Sequence, residues 1–592
     1  MIKNERSVRI DILKGISIIA VVMYHIGILP FGYLGVDVFL VIGGYMMMVG
    51  IDKSLDNNTF SYWKYIYKRL VRLWPILIIV SIVSIGVGCF LMLPDDYENL
   101  SQSVIASGVF ANNILACITT KNYWDIVNTY KPLMHTWYLG ILMQAYVVIP
   151  LLILIVSKIF NNSKKALKAF MIFITIASFI LFLLPIASTA QKFYYLPYRI
   201  FEISFGAVVA LLHYKKENKV NNKIMTLLEI ACFVLVGSLI FVKVTFIPSS
   251  IKLSIVVLCT GVMLYVFQYK KEKVNILGKC LGAIGQCSFS IYLWHQVVVA
   301  FMYYSVLPEL TFLSFCVFIV IVAIISVLSY FLLEKSFGRI VKNKKGEIIT
   351  LLSCTCVFIG LSAFSGYIYI NAGVVRDVPE LNISTSNIHK GMHAEYCDIP
   401  YKWDNDFENN DKIKVVVIGN SFGRDWANIL SESSMHNDMQ ISYIFPYSEE
   451  YIEERVNRIE QADMVFYALG PDYNDVSQNI LDIVSYDKLF IVGNKNFGKS
   501  SGIIYSRRKS DNYFNLTVSL DEELLNSNIK MKQKYKDHYI DLIEVVKQDD
   551  KNVIVFTNSG KFISQDCRHL TQSGAEFYAE SIDFSALLQH VN

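Results

Sequence analysis

Long runs of hydrophobic residues dominate the first part of this 592-residue chain. A run of about 20 apolar residues can cross the hydrocarbon core of a bilayer as an α-helix. We count eleven such runs, at 10–29, 33–51, 74–94, 135–157, 168–188, 193–213, 225–243, 251–268, 284–306, 310–333 and 348–370. The pattern predicts an all-α membrane bundle of about 11 transmembrane helices.

The pattern changes after residue 371, where short strand-like runs alternate with stretches of helical composition. The strand-like runs are Lys414–Ile418, Ile441–Phe445, Met464–Leu469, Leu489–Val492 and Val553–Phe556. This alternation is typical of an α/β domain with a parallel sheet. The predicted domains are a ten-helix membrane domain at 1–340, an eleventh helix at 341–371, a linker or domain-capping extension at 372–411, and the α/β domain at 412–592.

Basic residues fall in alternate connections between the predicted spans. The basic connections are those at 52–73, 158–168, 214–224, 269–283 and 334–347. The positive-inside rule assigns them to the cytoplasm and leaves the N-terminus inside. We interpret the N-terminal segment as a retained first helix, since no small-residue cleavage site follows it. An odd number of spans then puts the α/β domain in the periplasm or outside the cell.

Composition supports the membrane assignment. Hydrophobic residues make up 54% of the chain, and the formal net charge is only +4. The basic residues lie in short clusters and form no single face for nucleic acid, which we exclude as a partner. Nine of the eleven cysteines lie within or close to apolar segments and show no metal-ligand spacing, and we predict no metal site. Cys397 and Cys567, both predicted to lie outside, could form a disulfide, and we treat that pairing as a hypothesis.

Ionisable residues inside membrane spans are costly, so each is a candidate functional residue. The outer half of the bundle is predicted to hold His25, Asp37, His135, Arg199, Glu202 and His295, and the inner face Asp11, Lys14, Lys68, Arg69 and Arg72. The inner cations suit a phosphate-bearing donor such as acyl-CoA. His25 suits a general base. Two simpler roles stay open: topology and lipid contact for the basic cluster, and helix packing for His25.

A second candidate site lies in the α/β domain. The apolar run from Val415 to Ile418 ends at Gly419, and Ser421 follows where a helix would begin. That position exposes a nucleophile at the carboxyl end of a strand. Near the C-terminus, Asp566 and His569 are spaced so that the carboxylate can orient the imidazole, which can then deprotonate the serine.

Several ordered motifs in the first 340 residues resemble the acyltransferase-three family of membrane acyltransferases. They are Asp11 with Lys14 and His25, Gly35 to Phe39, Lys68 to Arg72, His135 to Trp137, Arg199 with Glu202 and Gly206, Ser290 to His295, and Tyr330 to Glu334. One departure is the stretch from Trp137 to Gln144, which lacks the pair of glutamates that the family often has. Any catalytic role of that pair is absent from this chain.

Residues 412–585 resemble the SGNH hydrolase and esterase family. Ser421, Asp566 and His569 match its nucleophile and Asp-x-x-His blocks, with Asn420 in place of the usual aspartate. The family takes oxyanion-hole donors from a glycine amide and an asparagine side chain. Here the resemblance implies Gly470, while Asp472 stands where the asparagine is expected. Asn494 and Asn496 are alternatives for that donor.

Together the resemblances imply a bacterial O-acetyltransferase of the inner membrane. Acetyl from cytoplasmic acetyl-CoA would pass, through an acyl-enzyme on Ser421, to a hydroxyl of O-antigen, exopolysaccharide or peptidoglycan. The expected partners are the bilayer, acyl-CoA and the glycan, with no permanently bound cofactor. Two alternatives remain: a transporter with an external accessory domain, and a membrane-anchored glycan esterase. The sequence leaves open the sugar, the hydroxyl, the acyl group and the oligomeric state.

Overall fold

The structure is a computed structural model that describes residues 7–119, 128–161, 163–212, 222–243, 245–268, 274–305, 311–340, 344–386, 393–446, 448–470 and 475–588. Contacts divide the chain into two compact units. The first comprises Met1–Leu91 and Tyr97–Ile370, and the second comprises Met92–Asp96 and Asn371–Asn592.

The first unit contains helices joined by turns, and no strand lies among its described residues. Its helices are α1 (Val8–His25), α2 (Leu34–Asp56), α3 (Tyr62–Leu91), α4 (Pro94–Gly108), α5 (Asn112–Thr119), α6 (Trp137–Ile159), α7 (Lys164–Leu183), α8 (Thr189–Tyr194), α9 (Ile200–Leu211), α10 (Asn222–Phe241), α11 (Ser249–Phe267), α12 (Ile276–Gln286), α13 (Ser288–Ser305), α14 (Phe312–Leu328), α15 (Lys335–Ile340) and α16 (Lys344–Ile370), with a π-helical turn at Ser329–Glu334. The length and apolar composition of several of these helices identify a multi-pass membrane protein.

Fewer helices than predicted meet the length and hydropathy expected of a span. Eight qualify among the described residues, and nine if the bent pair α12 and α13 counts as one span. The predicted span at 193–213 is represented by α9, which has only 12 residues. A helix of that length covers about 18 Å, less than the hydrocarbon core. The total of eleven spans therefore stays a prediction.

Glycines allow two helix pairs to approach closely. A Cβ atom on Gly206 of α9 would lie 2.0 Å from the carbonyl oxygen of Val41 on α2, and one on Gly44 would lie 1.8 Å from that of Ile203. Only glycine fits at such crossings, as in other membrane helix pairs. This contact places Asp37 of α2 beside the start of α9.

Helix α12 packs closely against α1, and helix α13 after it brings His295 to the end of α1. Gly285 of α12 packs against the backbone of Asp11, where a Cβ atom would lie 1.7 Å from the carbonyl oxygen. The chain then bends by 68° into α13. As a result, His295 of α13 lies next to His25, the last residue of α1.

The second unit is an α/β domain, as the sequence predicts. Its strands are β1 (Ile413–Ile418), β2 (Met439–Ile444), β3 (Met464–Ala468), β4 (Leu489–Val492), β5 (Thr517–Ser519), β6 (Tyr539–Ile540) and β7 (Asn552–Ile554), and its helices are α17 (His393–Cys397), α18 (Ser421–Glu432), α19 (Glu449–Glu453), α20 (Val456–Gln461), α21 (Gln478–Ile483), α22 (Ser501–Ser506), α23 (Glu522–Tyr535), α24 (Leu542–Val546), α25 (Gln572–Ser581) and α26 (Phe584–Leu588). The main sheet has the order β2-β1-β3-β4-β6, and all its pairs are parallel.

The predicted strand at Val553–Phe556 is wrong as a member of the main sheet. Its first residues form β7, which pairs antiparallel with β5 in a separate two-stranded sheet. The fifth position of the main sheet belongs to β6, whose two residues are too few to give a hydrophobic pattern. Strand β6 forms because it pairs with β4, and its amino-acid composition alone does not indicate a strand.

The segment predicted as a linker or capping extension belongs to the second unit, which includes the whole chain from Asn371 onward. Helix α17 and a 3₁₀ turn at Ile399–Trp403 pack against α18. The Asp398 carboxylate lies 3.2 Å from the Arg424 guanidinium of that helix. The extension therefore covers the helix that starts at Ser421.

The hypothesis of a disulfide between Cys397 and Cys567 is wrong for this structure, because the two cysteines do not form one. The Cys397 thiol donates to the carbonyl oxygen of Leu570 at 3.4 Å. The Cys567 sulfur lies 3.4 Å from Oγ of Ser501. Each sulfur is thus held by a neighbour of its own, and burial raises the pKa of the Cys567 thiol to about 12.

Candidate active sites of the two units

Ser421 is positioned by the central part of the main sheet. Strand β1 is buried over Val415–Ile418 and lies between β2 and β3, so the strand order reverses at its carboxyl end. Open α/β sheets bind their ligands at such a point. Asn420 caps α18 by accepting a hydrogen bond from the amide of Phe422 at 3.0 Å. The next residue, Ser421, is the first of the helix and is nearly buried, at 7% exposure.

The structure brings Ser421, His569 and Asp566 together. Nε2 of His569 lies 2.9 Å from Oγ of Ser421, and Nδ1 lies 2.5 Å from Oδ2 of Asp566. The carboxylate can accept only, so Nδ1 carries the hydrogen and Nε2 is free to take the serine proton. The three side chains have the connectivity of a Ser-His-Asp nucleophile site.

The loop that carries Asp566 and His569 has a constrained backbone. Oδ1 of Asp566 accepts the amide hydrogens of Arg568 at 2.9 Å and His569 at 2.7 Å. Between them, Cys567 has a φ of 72°, a left-handed conformation that is uncommon for a residue with a Cβ atom. Such residues cluster at functional sites, where surrounding contacts hold them.

The predicted oxyanion-hole residues lie close to one another at the adjacent strand ends. Nδ2 of Asn494 donates to the carbonyl oxygen of Gly470 at 3.0 Å, so one of its two amide hydrogens is already engaged. A Cβ atom on Gly470 would lie 3.2 Å from Nδ2 of Asn420. Asn420 therefore puts a second amide group beside Gly470, which the usual aspartate would not supply. Asp472 lies outside the described residues.

Two buried charges behind the serine were missed by sequence reasoning. Nζ of Lys495 lies 2.8 Å from Oδ2 of Asp425, and the side chains are 0% and 1% exposed. Their positions in the sequence could have indicated them. Asp425 follows Ser421 by one helical turn, and Lys495 follows β4 at the same edge of the sheet as the serine.

Three predicted histidines from separate segments meet in the membrane unit. The ring centroid of His295 lies 5.0 Å from that of His25 and 5.3 Å from that of His135. Nδ1 of His295 donates to the carbonyl oxygen of Tyr292 at 2.7 Å, so its Nε2 keeps the lone pair. That Nε2 atom is buried and has no hydrogen-bond partner among the described residues. The cluster can therefore accept a proton.

The predicted residues Asp37, Arg199 and Glu202 form a second buried cluster. Nη2 of Arg199 lies 2.5 Å from Oδ1 of Asp37, and Nε lies 3.0 Å from Oε1 of Glu202. All three side chains are at most 2% exposed. The guanidinium binds one carboxylate on α2 and one on α9, so it holds the start of α9 against α2. Loss of any one partner would leave a buried charge uncompensated, which is strongly destabilising.

The predicted donor residues at the inner face have different surroundings. Nζ of Lys14 lies 3.8 Å from Oδ1 of Asp11, which is buried. Arg69 packs over the rings of Tyr65 and Tyr146, at 5.1 and 4.9 Å from their centroids. The side chains of Lys68 and Arg72 are exposed. Arg69 is thus held in place by aromatic contacts, while its two neighbours can reach a ligand or lipid phosphates.

Lys252 is a further buried cation that sequence reasoning missed. It is 2% exposed near the start of α11, and its Nζ lies 3.4 Å from the ring centroid of Phe31. A lysine inside a predicted span meets the criterion applied to the other intramembrane charges, so the signal was present in the sequence.

Comparison with known proteins gives the same family for the membrane unit. The family described as an acyltransferase domain matches residues 7–331. BcsY of Komagataeibacter xylinus, assigned as a membrane-bound transacylase, is 26% identical over 374 residues, which are 62% of this chain and 92% of that protein. The peptidoglycan O-acetyltransferase OatA of Listeria monocytogenes is 24% identical over 304 residues, 49% of each chain.

Another relative is an assigned O-acetyltransferase of Staphylococcus aureus strain COL, 26% identical over 314 residues, which are 50% of this chain and 51% of that protein. The match thus spans about half the length of this relative and of the Listeria protein. No solved structure matches the chain.

Proposed function

The chain belongs to the acyltransferase-three family of membrane acyltransferases, and on that premise we propose that it transfers acetyl from cytoplasmic acetyl-CoA to a hydroxyl of an extracytoplasmic bacterial glycan. One relative is named a peptidoglycan O-acetyltransferase and another is assigned as an O-acetyltransferase, which supports an acetyl group and a cell-envelope acceptor. The acceptor classes are peptidoglycan, O-antigen and exopolysaccharide.

The observation that carries the proposal is the hydrogen-bonded series Ser421, His569 and Asp566 in a chain that also has a membrane acyltransferase unit. A serine activated in this way forms a covalent acyl-enzyme. Oγ attacks the acyl carbonyl carbon and gives its proton to Nε2 of His569, which then protonates the leaving group. A sugar hydroxyl next attacks the acyl-serine, His569 takes the hydroxyl proton, and Oγ is released as the hydroxyl.

The membrane unit would receive the acyl group from the cytoplasmic side. Lys14, Lys68, Arg69 and Arg72 would bind the phosphates of acetyl-CoA, because ammonium and guanidinium groups make charge-assisted hydrogen bonds to them. His25, next to His295, would act as the base at the transfer point. The charge pattern of the connections supports a cytoplasmic N-terminus and an external α/β domain in the inner membrane.

An SGNH-like catalytic role for the second unit is part of the same proposal. The parallel sheet, the serine at the end of β1 and the histidine loop near the C-terminus support it. Gly470 and the amide of Asn494 or Asn420 would stabilise the oxyanion. A glycan esterase would use the same residues, but water would then replace the sugar as the attacking group.

The test uses membrane vesicles that contain the full-length protein, acetyl-CoA with a labelled acetyl group, and the glycan. We expect label on the glycan with the wild type and with Ser434→Ala, an exposed serine that serves as the matched control. Ser421→Ala should remove it. Wild-type labelling by Ser421→Ala would overturn the role of the α/β unit, and label that leaves the glycan as free acetate would identify an esterase.

A further inference from the structure

The segment after β4, residues 493–498, contacts three separate parts of the candidate site; we call it the β4 loop. Asn494 donates to the carbonyl oxygen of Gly470. The amide of Phe497 donates to the carbonyl oxygen of Cys567 at 2.8 Å, on the loop that carries His569. Lys495 reaches Asp425 on α18. The β4 loop thus connects the candidate oxyanion hole, the nucleophile helix and the histidine loop.

Asp425 joins Lys495 to the histidine loop through a single oxygen atom. Its Oδ2 lies 2.8 Å from Nζ of Lys495 and accepts the amide hydrogen of Leu570 at 3.1 Å. Leu570 directly follows His569. Any displacement of the Asp425 carboxylate would therefore move the backbone next to the imidazole.

Phe422 separates the cation from the imidazole. Nζ of Lys495 lies 4.3 Å from the ring centroid of Phe422, and this centroid lies 6.2 Å from that of His569, with the rings inclined at 61°. Charges this close in a water-poor site interact strongly, because little solvent screens them. Lys495 and Asp425 are opposite charges beside the group that must exchange a proton.

Stability alone does not account for the buried ion pair of Lys495 and Asp425. A buried ion pair adds little to stability, since desolvation offsets the attraction, whereas removing one partner is costly. Other titratable or charged groups packed around the pair and the imidazole are Asp566 and Cys567 on the histidine loop, Arg424 on α18, Tyr396, Cys397 and Asp398 on the covering extension, Tyr578 on α25, and Asp96.

We propose that Lys495 and Asp425 are positioning residues for His569: Asp425 fixes the backbone after the imidazole, and Lys495 neutralises Asp425 so that its charge does not add to that of Asp566 at the imidazole. The inference rests on the proposed nucleophilic role of Ser421. It assigns the pair a function in setting the pH range of the reaction, beyond holding the fold.

The test measures how fast Ser421 of the full-length protein reacts with a fluorophosphonate probe as pH varies. This probe reports the serine-histidine pair without any acyl transfer. Lys495→Met leaves a buried anion that favours the imidazolium, so the acid limb of the profile should move to higher pH by about one unit. Asp425→Asn leaves a buried cation, and the limb should move to lower pH. The double variant Lys495→Met with Asp425→Asn should return it close to the wild-type position.

Lys495→Arg, which keeps the charge, is the control and should keep the wild-type profile. Thermal unfolding checks that each variant folds. If Lys495→Met does not fold, Lys495→Gln replaces it, because it keeps a hydrogen-bond donor without the charge. Shifts in the same direction, or a loss of rate without a shift, would overturn the inference while leaving Ser421 as nucleophile. A wild-type Ser421 that does not react would overturn both this inference and the proposed nucleophile.

Discussion

Asp566 holds His569 at two points: one carboxylate oxygen lies 2.5 Å from the ring Nδ1, and the other accepts the backbone amide hydrogen of the same residue at 2.7 Å. The side chain and the backbone of the histidine are therefore oriented by a single carboxylate. Because the carboxylate accepts from Nδ1, the imidazole is kept in the tautomer whose Nε2 can act on Ser421.

This arrangement predicts unequal losses of esterase activity among the three residues. In the full-length protein in detergent, Ser421→Ala and His569→Ala should each reduce hydrolysis of a chromogenic acetyl ester by about a thousandfold or more. The loss of activity in Asp566→Asn should be smaller than in the other two variants by a factor of about ten or more. The aspartate orients the base and takes no part in bond formation. Equal losses for all three, or full activity of Ser421→Ala, would contradict a triad.

His25→Ala should abolish glycan acetylation while the protein stays folded in the membrane, since the substitution removes the proposed base. The matched control is His436→Ala, which changes an exposed histidine of the second unit. Acetylation is measured by mass spectrometry of the isolated glycan, and folding by the thermal transition in detergent. If His25→Ala acetylates the glycan normally, His25 is not the base, and its role is limited to helix packing.

Arg199→Leu should destabilise the membrane unit by about 3–5 kcal/mol, because it leaves Asp37 and Glu202 buried without their cation. Arg199→Lys should recover only part of the loss, since an ammonium group cannot serve both carboxylates with the guanidinium geometry. Adding Asp37→Asn and Glu202→Gln to Arg199→Leu should restore some of the transition temperature. An unchanged transition temperature for Arg199→Leu would show that the cluster is not stabilising.

Asp404 should make the second unit sensitive to acid. Burial raises the pKa of this carboxyl, but hydrogen bonds from Arg455, Tyr451 and Arg458 outweigh that effect and lower the pKa from 3.8 to about 2. A lowered pKa stabilises the folded state above about pH 4, and this contribution is lost as pH falls through 2. With solvent screening the contribution is on the order of 1 kcal/mol.

The measurement compares thermal unfolding of wild type and Asp404→Asn at several pH values. Near neutral pH the variant should unfold about 2–4 °C lower. Below pH 2 the difference in unfolding temperature should disappear, because the wild-type carboxyl is then also mostly protonated. A difference that does not depend on pH would mean that packing, and not charge, explains the effect.

Cys397 and Cys567 should resist alkylation in the native protein. Burial raises the pKa of both thiols, for Cys567 to about 12, so that at pH 8 only about one Cys567 in ten thousand is a thiolate. Iodoacetamide should label both only after denaturation, as read by peptide mass spectrometry without reduction, while exposed Cys280 provides the positive control. A peptide pair joined through the two sulfurs would contradict the structure.

The position of Ser421 was predictable because it follows from local pattern. A run of β-branched residues ending in a glycine turn gives a buried strand and a helix start, and the carboxyl end of such a strand is where α/β proteins place their chemistry. The pairing with His569 was predicted from the chemistry of these residue types and from the family resemblance, since no local rule links residues so far apart in the chain. The catalytic roles themselves remain predictions.

Other features depend on tertiary contacts that the sequence does not encode locally. Sequence position brings Lys495 and Asp425 to the same edge of the sheet, but only the tertiary contact pairs them, and strand β6 exists only through its contact with β4. Helix α12 was missed, because most of it lies in the segment 269–283, which was assigned to a basic connection. Helix α9 was extended to full span length because the residues before it are also apolar, although they form a separate short helix and a turn.

The order of the site residues along the chain also has a consequence during biosynthesis. Ser421 leaves the ribosome 148 residues before His569. At about 5–20 residues per second, the serine is without its base for roughly 7–30 seconds. During that time the hydroxyl is an ordinary weak nucleophile, so the half-made domain cannot take acyl groups from the metabolites around it. On the proposed role of Ser421, activity begins only when the last part of the domain has folded against α18.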